Sequence, residues 1–200
     1  MLHVSLALPL TYSPSDVPKN DLPLTVIPNY PHEITKGYMA TTIPLLPKQF
    51  EVTFDFQASR RIGGWSNILH MTTGGNAAWG ERIPGFFSLN DNIAVSFSVD
   101  GNGNWNFMTP TISLNKWIHM KVNQQLEGKN YVYRVYMDGK LLKEHVNKKP
   151  QEFKEVFVWG SDKWHNAQPG FVKNLIISSK SILSCTYQFL FDPSVRSSIL

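Results

Sequence analysis

The sequence predicts an all-β fold, an antiparallel sandwich or barrel, and three observations support this prediction. Apolar and polar residues alternate in several short runs, with the period of two that is typical of half-buried strands. Turn-forming pairs such as Asp138-Gly139 separate these runs, as in β-hairpins. No stretch has a helical period longer than two turns. Short strands at regular spacing, joined by turns, indicate a sandwich or barrel rather than a mixed fold.

The composition indicates one globular domain. The chain has 200 residues, of which 42% are hydrophobic and 17% charged, so disorder is not expected. The single cysteine, Cys185, excludes an intrachain disulfide. No apolar run reaches the roughly 18 residues that a membrane span requires. The net charge of +4 is mild, and the charged residues do not line up with the aromatic ones, so we expect no nucleic-acid partner.

Residues 1–47 are predicted to form a proline-rich extended arm. The opening MLHVSLALPL lacks the basic start of a signal peptide and is interrupted by polar residues and a proline, so we interpret it as a strand or extended segment. Eight prolines lie between residues 9 and 47, and because proline lacks a backbone donor they exclude a central strand. We therefore predict edge strands in the arm, such as Tyr38 to Ile43, and place the sandwich at 48–200.

From residue 49 onward, the strands of the sandwich are predicted in chain order. The first, Phe50 to Phe56, alternates Phe and Val with polar residues and so has one buried face. The stretch TTGGNAAWGERIPGFF is interpreted as the connection between strands at 66–72 and 84–89, with Gly74-Gly75 turning the chain. Further strands are predicted at 93–99, 118–122, 131–137, 156–158, 175–177 and 182–191. Hairpin turns are predicted at Asp100-Gly101, Asn102-Gly103 and Asp138-Gly139.

Three segments resemble a known family of sandwich folds. A Trp opens the strand within Leu114 to Val122, Tyr131 to Lys143 ends a strand in an Asp-Gly hairpin, and Gly170 to Ile177 is a closing G-x-x-x-N-L strand. Together they resemble the laminin-G-like, concanavalin A-like jelly roll over residues 48–180. Asn67 to Asn76, continued through 80–84, is similar to uncharacterised laminin-G-like domains of animal extracellular proteins. The resemblance implies a jelly roll in an extracellular setting, although the lone cysteine is also compatible with the cytoplasm. That fold carries lectins, adhesion modules and some glycosidases.

The central connection also resembles part of a sugar-binding motif. Trp79-Gly80-Glu81-Arg82 is similar to the W-G-x-E motif of galectins, one residue shorter and without the preceding H-x-N-P-R signature. That resemblance implies Trp79 under the apolar face of a sugar, with Glu81 and Arg82 bonding its hydroxyls. The alternative is that Trp79 packs beside the turn and that Glu81 and Arg82 form an ordinary ion pair. A phosphate-binding loop is excluded, since no Lys-Ser/Thr and no helix follow Gly74-Gly75.

Asp100, Asn102 and Asn104 are candidate calcium ligands. Their alternate oxygens imitate the first three ligands of an EF-hand loop. Position six is Trp105 rather than Gly, however, and position twelve is Thr111 rather than Glu. A tight hairpin explains the same glycines, so we expect no cofactor and keep a structural Ca²⁺ at this loop as the alternative.

Catalysis is not expected. Glycosidases on this fold carry acidic residues at E-x-D-x-x-E spacing, whereas Glu51 and Asp55 stand alone. Cys185 lies in an apolar run typical of a core thiol, and the histidines show no metal-ligand spacing. The sequence therefore favours a non-enzymatic protein.

A loop at 159–169 displays aromatic and polar side chains together. Trp164, His165 and Asn166 offer ring faces beside groups that form hydrogen bonds, a combination that suits carbohydrate or a protein interface. The alternative is that Trp159 and Trp164 cap the core. We thus predict a non-catalytic recognition domain whose loop aromatics, Trp79, Trp105 and Trp164, bind a glycan. The competing hypothesis is an adhesion or assembly module, including a homo-oligomer, that pairs through its edge strands and the arm.

Overall fold

The computed structural model describes residues 23–179 as two antiparallel β-sheets packed face to face. The predicted fold class, an all-β antiparallel sandwich, is confirmed, and these residues contain no helix. They therefore include no helix that is long and apolar enough to span a bilayer. The predicted opening segment MLHVSLALPL, Cys185 and the strand at 182–191 lie outside the described residues.

The first sheet has seven strands in the order β1-β14-β4-β9-β10-β11, with the short β2 also paired to β14. All of its strand pairs are antiparallel. Its strands are β1 Leu24–Ile27, β2 His32–Glu33, β4 Phe50–Ala58, β9 Ile118–Glu127, β10 Asn130–Met137, β11 Lys140–Asn147 and β14 Gly170–Ser179.

The second sheet also has seven strands, in the order β3-β12-β5-β6-β7-β8, with β13 paired to β5. The two-residue pairing of β13 with β5 is parallel and the others are antiparallel. Its strands are β3 Tyr38–Leu46, β5 Ser66–Thr72, β6 Gly85–Leu89, β7 Asn92–Val99, β8 Asn102–Met108, β12 Phe153–Ser161 and β13 Asn166–Ala167.

The core lies between the two sheets and is rich in Phe, Ile and Val. In β4 every second residue from Phe50 to Ala58 is buried, as the alternation predicts, while the residues between are half-buried. Phe54 of the first sheet meets Phe86 of the second edge to face, with ring centroids 4.7 Å apart. Phe97 and Tyr133 also contact each other across the sheets, with ring centroids 4.0 Å apart and ring planes tilted by 35°.

The strand predictions from residue 49 to 177 are confirmed as β4, β5, β6, β7, β9, β10, β12 and β14. Asp138-Gly139 forms the β10–β11 turn and Asp100-Gly101 the β7–β8 turn, and both residues of each pair have positive φ. The predicted turn at Asn102-Gly103 is wrong, because both residues belong to β8. Gly103 is needed for another reason: a Cβ atom there would clash with the backbone of Ala78.

Residues 24–46 of the predicted arm contribute strands to both sheets. β3 pairs with β12 at the edge of the second sheet, in the position predicted for Tyr38 to Ile43. β1 and β2 pair with β14 of the first sheet. Ile27, Ile34, Ile43 and Leu46 are buried in the core. The described part of the arm is therefore packed against the sandwich.

Candidate functional site

The outer face of the second sheet is covered by the loop at 73–84 and by the loop at 162–165. All seven residues of β5 are buried, and so are seven of the eight residues of β7. Only one face of each strand can point to the core, so the other face must be covered from outside. This explains why the polar Ser96 and Ser98, which alternate with the core residues of β7, are buried as well.

The 73–84 loop is held in shape by its own hydrogen bonds. Thr72 Oγ1 accepts from the N–H of Gly74 at 3.0 Å and donates to the carbonyl of Gly75 at 2.6 Å. Glu81 accepts from the N–H groups of Ala77 and Ala78 at 2.8 and 2.6 Å. These two backbone donors, Ala78 first, lower the pKa of Glu81. Glu81 thus organises the loop as an ionised carboxylate.

A buried ionic cluster, formed by Asp162, His70 and the partly exposed His165, connects the two loops to β5. Asp162 Oδ2 lies 2.8 Å from His70 Nδ1 and 2.9 Å from His165 Nδ1. Burial raises the pKa of Asp162, but hydrogen bonds from His165 and His70 outweigh it and hold the pKa well below its usual range. His70 Nε2 faces the carbonyl oxygen of Glu81 at 2.5 Å. Both His70 nitrogens therefore face oxygen atoms, one from Asp162 and one from Glu81.

Next to this cluster lies a cleft with a volume of about 220 Å³. It is lined by Trp65, Arg82, Phe87, Asn104, Asn106 and His165. Phe87 is buried at its base, with the ring of His165 4.9 Å from its own and the ring of Trp65 6.2 Å away. Trp65 is 47% exposed, a large fraction for an indole. The cleft therefore combines an exposed aromatic wall with amide, imidazole and guanidinium groups.

Arg82 is fixed in the cleft by several contacts. Its Nε donates to the carbonyl of Asn76 at 2.7 Å, and its Nη1 donates to the side-chain oxygen of Asn104. Its guanidinium carbon stands 4.7 Å from the centre of the Phe87 ring. Burial lowers the pKa of Arg82, and the charge of Asp162 offsets part of that effect. Arg82 thereby ties the loop to β8 and presents a positive charge to the cleft.

Of the ligand-binding residues predicted from the sequence, Arg82 and His165 meet in this cleft, together with Asn104, which was predicted as a calcium ligand. Trp79 lies beside Phe153, with ring centroids 6.3 Å apart, and is half-buried. Trp105 is directed toward the core and stacks on Phe97 at 4.8 Å.

Two further predicted residues belong to the 162–165 loop and the strand that follows it. Trp164 is half-buried against His70 and Trp159, at 5.6 and 6.3 Å between ring centroids. Asn166 is exposed in β13. Neither lines the cleft.

The candidate calcium ligands each have a protein partner. Asp100 accepts from the N–H of Lys148 at 2.5 Å and lies 2.7 Å from His145 Nε2. Asn102 Oδ1 accepts from the N–H of Asn104 at 2.9 Å. Asn104 Oδ1 accepts a hydrogen bond from the Arg82 guanidinium, which is itself a cation. No group of three or more His, Cys, Asp or Glu side chains with metal-site geometry occurs within 23–179. Calcium at this loop stays a prediction.

Three cleft residues were missed by the sequence analysis. Trp65 follows Gly63-Gly64, and this glycine pair before an aromatic residue was an available signal for an exposed loop tryptophan. Asn106 continues the alternation of Asn102 and Asn104 along one face of β8, which was also visible. Phe87 gave no signal, since a Phe in an apolar strand is typical of the core.

Comparisons with known proteins extend the description of the fold. No family model matches the sequence, and no curated protein matches it. Among solved structures, the receptor-binding domain of botulinum neurotoxin type G is similar, with a TM-score of 0.53 and 11% identity over 86% of this chain and 45% of that chain. The chain therefore spans less than half the length of the toxin domain.

A carbohydrate-binding module is also similar in structure. It is the CBM40 of an IT-sialidase from Ruminococcus gnavus, bound to α2,3-sialyllactose, with a TM-score of 0.52 and 13% identity over 80% of this chain and 96% of that chain. At such identities the likeness is one of fold. The chain is a jelly-roll β-sandwich, similar in architecture to domains that include carbohydrate-binding modules.

Proposed function

We propose that this chain is a non-catalytic recognition domain that binds carbohydrate in the cleft beside Trp65. The observation that carries the proposal is the composition of the cleft: an exposed indole faces amide, imidazole and guanidinium groups around about 220 Å³. Sugars have one apolar face of C–H groups and a rim of hydroxyls. An aromatic wall next to convergent polar groups suits both parts, as in other small-molecule sites.

The size of the cleft supports a small part of a glycan as the bound unit. Pockets for drug-sized ligands usually measure about 300–1,000 Å³, and this cleft is smaller. We infer that one sugar ring enters it and that neighbouring units of the chain remain outside. The fold's likeness to the sialyllactose-bound module supports the same broad class of ligand. The extracellular setting expected from the sequence is part of this proposal, since free glycans are most accessible there.

A glycan array tests the proposal. The wild type should bind at least one class of glycan, and Trp65→Ala should weaken that binding by about tenfold or more, as expected for an aromatic anchor. The thermal midpoint should change little, because the side chain is already 47% exposed. Tyr30→Ala is the matched control: Tyr30 is 60% exposed and lies outside the cleft, so its removal should leave binding intact.

The same array separates this cleft from the loop aromatics predicted from the sequence. Trp79→Ala and Trp164→Ala should affect binding less than Trp65→Ala, because neither side chain lines the cleft. A larger loss from either would place the sugar elsewhere. Absence of binding to every glycan, together with a concentration-dependent oligomer in light scattering, would contradict the proposal and favour the assembly module. Leu141 and Val146 on edge strand β11, 45% and 39% exposed, are where pairing would then be sought.

A further inference from the structure

Among the residues that line the cleft, the permanent charge is positive. Its six lining residues include one permanent cation, Arg82, and one histidine, but no carboxylate. Glu81 and Asp162 are ionised, but Glu81 accepts from the N–H groups of its own loop and Asp162 is bonded to His70 and His165. Neither carboxylate lines the cleft, so a ligand entering it meets the Arg82 guanidinium directly, although the charge of Asp162 also acts on that guanidinium.

Arg82 itself has no ion pair among the described residues. A guanidinium has five N–H donors. Three hydrogen bonds from Arg82 are present, and all three go to neutral oxygens: the Asn76 carbonyl, the Asn76 side chain at 3.4 Å and the Asn104 side chain. Two N–H groups are thus left for a ligand. Stacking on Phe87 and the bond to the Asn76 backbone hold the guanidinium in place, so little ordering is needed when an anion binds.

His165 offers a second polar contact of a different kind. Its Nδ1 faces the Asp162 carboxylate at 2.9 Å, and an ionised carboxylate only accepts, so the proton lies on Nδ1. In the neutral ring Nε2 is then an acceptor, and it makes no hydrogen bond with any residue from 23 to 179. A sugar hydroxyl can donate to it. The cleft therefore offers a fixed cation beside an acceptor for a hydroxyl group and the exposed face of Trp65.

We propose that the sugar recognised in this cleft is an acidic one, whose carboxylate pairs with Arg82 while its hydroxyls contact His165 and the Asn104 and Asn106 amides. This inference rests on the proposed carbohydrate function and specifies its ligand class. Bonds from a guanidinium to a carboxylate are charge-assisted and stronger than bonds between neutral groups. Arg82 matches the planar geometry of a carboxylate better than a lysine would.

Isothermal titration with matched ligand pairs tests the inference. The first pair is methyl β-glucuronide and methyl β-glucoside, which differ at C6 by a carboxylate in place of CH₂OH. The second pair is sialyllactose and lactose, and the two pairs distinguish uronic from sialic acids as the source of the carboxylate. The wild type should prefer the acidic member of at least one pair by about tenfold or more. Raising the salt concentration should reduce this preference.

Variants at Arg82 connect the preference to this side chain. Arg82→Gln should abolish the preference for the acidic sugar, so that the two members of each pair bind equally. Arg82→Lys keeps the positive charge but not the planar guanidinium with its paired N–H donors, so it should retain part of the preference. This variant keeps the test decisive if Arg82→Gln fails to fold. Arg61→Gln is the control, since Arg61 is exposed, pairs with Asp91 and lies outside the cleft.

The titration results separate failure of the acidic-sugar inference from failure of the carbohydrate function. Equal binding of both members of each pair, still sensitive to Trp65→Ala, would overturn the acidic-sugar inference and leave the carbohydrate function standing. An acidic preference that survives Arg82→Gln would also overturn it. Binding of sulfated sugars alone would contradict the carboxylate assignment. Absence of binding to any sugar would instead remove the proposed function itself.

Discussion

Asp162 is a carboxylate with no solvent exposure that is nevertheless ionised, because every contact around it is a donor. Besides the two histidine rings, it accepts from the N–H groups of Trp164 and His165 at 3.0 and 2.8 Å. A buried charge is tolerated when it is paired and hydrogen-bonded, and removing one partner leaves the other uncompensated. His70, which is also fully buried, depends on Asp162 in this way.

Asp162→Asn should therefore destabilise the fold by about 3–5 kcal/mol near neutral pH. Because the folded state lowers the pKa of Asp162, the unfolded chain binds more protons in acid, and stability rises with pH there. The contribution should be complete above about pH 5, should begin to fall as the pH drops below the ordinary pKa of about 3.9, and should be lost fully only as the pH passes through the much lower folded-state pKa. Denaturant unfolding from pH 3 to 7 should show the difference between wild type and variant shrinking in acid.

Asp91→Asn is the matched control for this measurement. Asp91 forms an ion pair with Arg61 at the surface, where the arginine side chain is 60% exposed. Such pairs contribute about 0–1 kcal/mol, so the control should change stability little. Equal effects of the two substitutions would mean that the buried ionic cluster does not form.

Single residues show how far the sequence predicts the site. Arg82 was identified because Trp79 to Arg82 resembles a sugar-binding motif, and His165 because its loop displays aromatic and polar side chains together. Trp105 shows the limit: it alternates with Asn104 and Asn106, and sequence alone does not say which face of an edge strand meets the core. The structure turns Trp105 inward onto Phe97 and the two asparagines outward into the cleft.

At the scale of elements, the β7–β8 turn joins the two sheets at one side of the sandwich. β8 ends the second sheet and β11 ends the first. Asp100 in the turn contacts His145 of β11 and the N–H of Lys148, and Trp105 lies 5.3 Å from the His145 ring. Burial raises the pKa of Asp100, but the hydrogen bond from His145 and the Lys148 N–H outweigh it, so the pKa is lowered. Asp100 therefore links the β7–β8 turn of the second sheet to edge strand β11 of the first.

Asp100→Asn should lower the free energy of unfolding by about 1–3 kcal/mol. Both carboxylate oxygens of Asp100 are hydrogen-bonded, and asparagine replaces one of them with an NH₂ donor. The loss should be the same in EDTA and in millimolar Ca²⁺, and the wild-type melting temperature should not depend on calcium. Asp138→Asn is the matched control, because Asp138 is exposed and occupies an equivalent Asp-Gly turn with positive φ. Its side chain accepts from the N–H of His119, which belongs to the same sheet. Thermal unfolding monitored by circular dichroism measures both.

A calcium-bound loop would behave differently. The wild-type melting temperature would rise with Ca²⁺ by mass action, and Asp100→Asn would lose that rise. This result would support the calcium prediction and contradict the link between the two sheets as the main role of Asp100.

The elements also show why turns are harder to place than strands. Period-two runs such as Phe50 to Phe56 fixed a strand and its buried face, because burying one face requires that alternation. Two successive dipeptides that end in glycine, Asp100-Gly101 and Asn102-Gly103, are equally good candidates for a hairpin turn in the sequence. In the structure Gly103 lies in β8, and its lack of a side chain is required by the approach of the Ala78 backbone, a contact between residues far apart in the chain.

At the scale of the whole molecule, the sandwich is completed by strands from the predicted arm. β3 covers one edge of β12, and β1 and β2 cover β14. Prolines correctly indicated edge positions for this segment, since a strand at the border can lack a donor on its free side. What the sequence left open was whether such edge strands also supply the core. Ile27, Ile34, Ile43 and Leu46 do so.

Two shortened chains test whether the domain begins at residue 48 or before residue 24. A chain of residues 48–200 lacks β1, β2 and β3, and with them four buried apolar side chains worth about 1.5–3 kcal/mol each. Since whole domains are stable by only about 5–15 kcal/mol, this chain should fail to unfold cooperatively. A chain of residues 23–200 keeps all described strands and should match the full chain in circular dichroism and melting temperature. Cooperative unfolding of 48–200 at the full chain's temperature would instead establish the sandwich as independent of the arm.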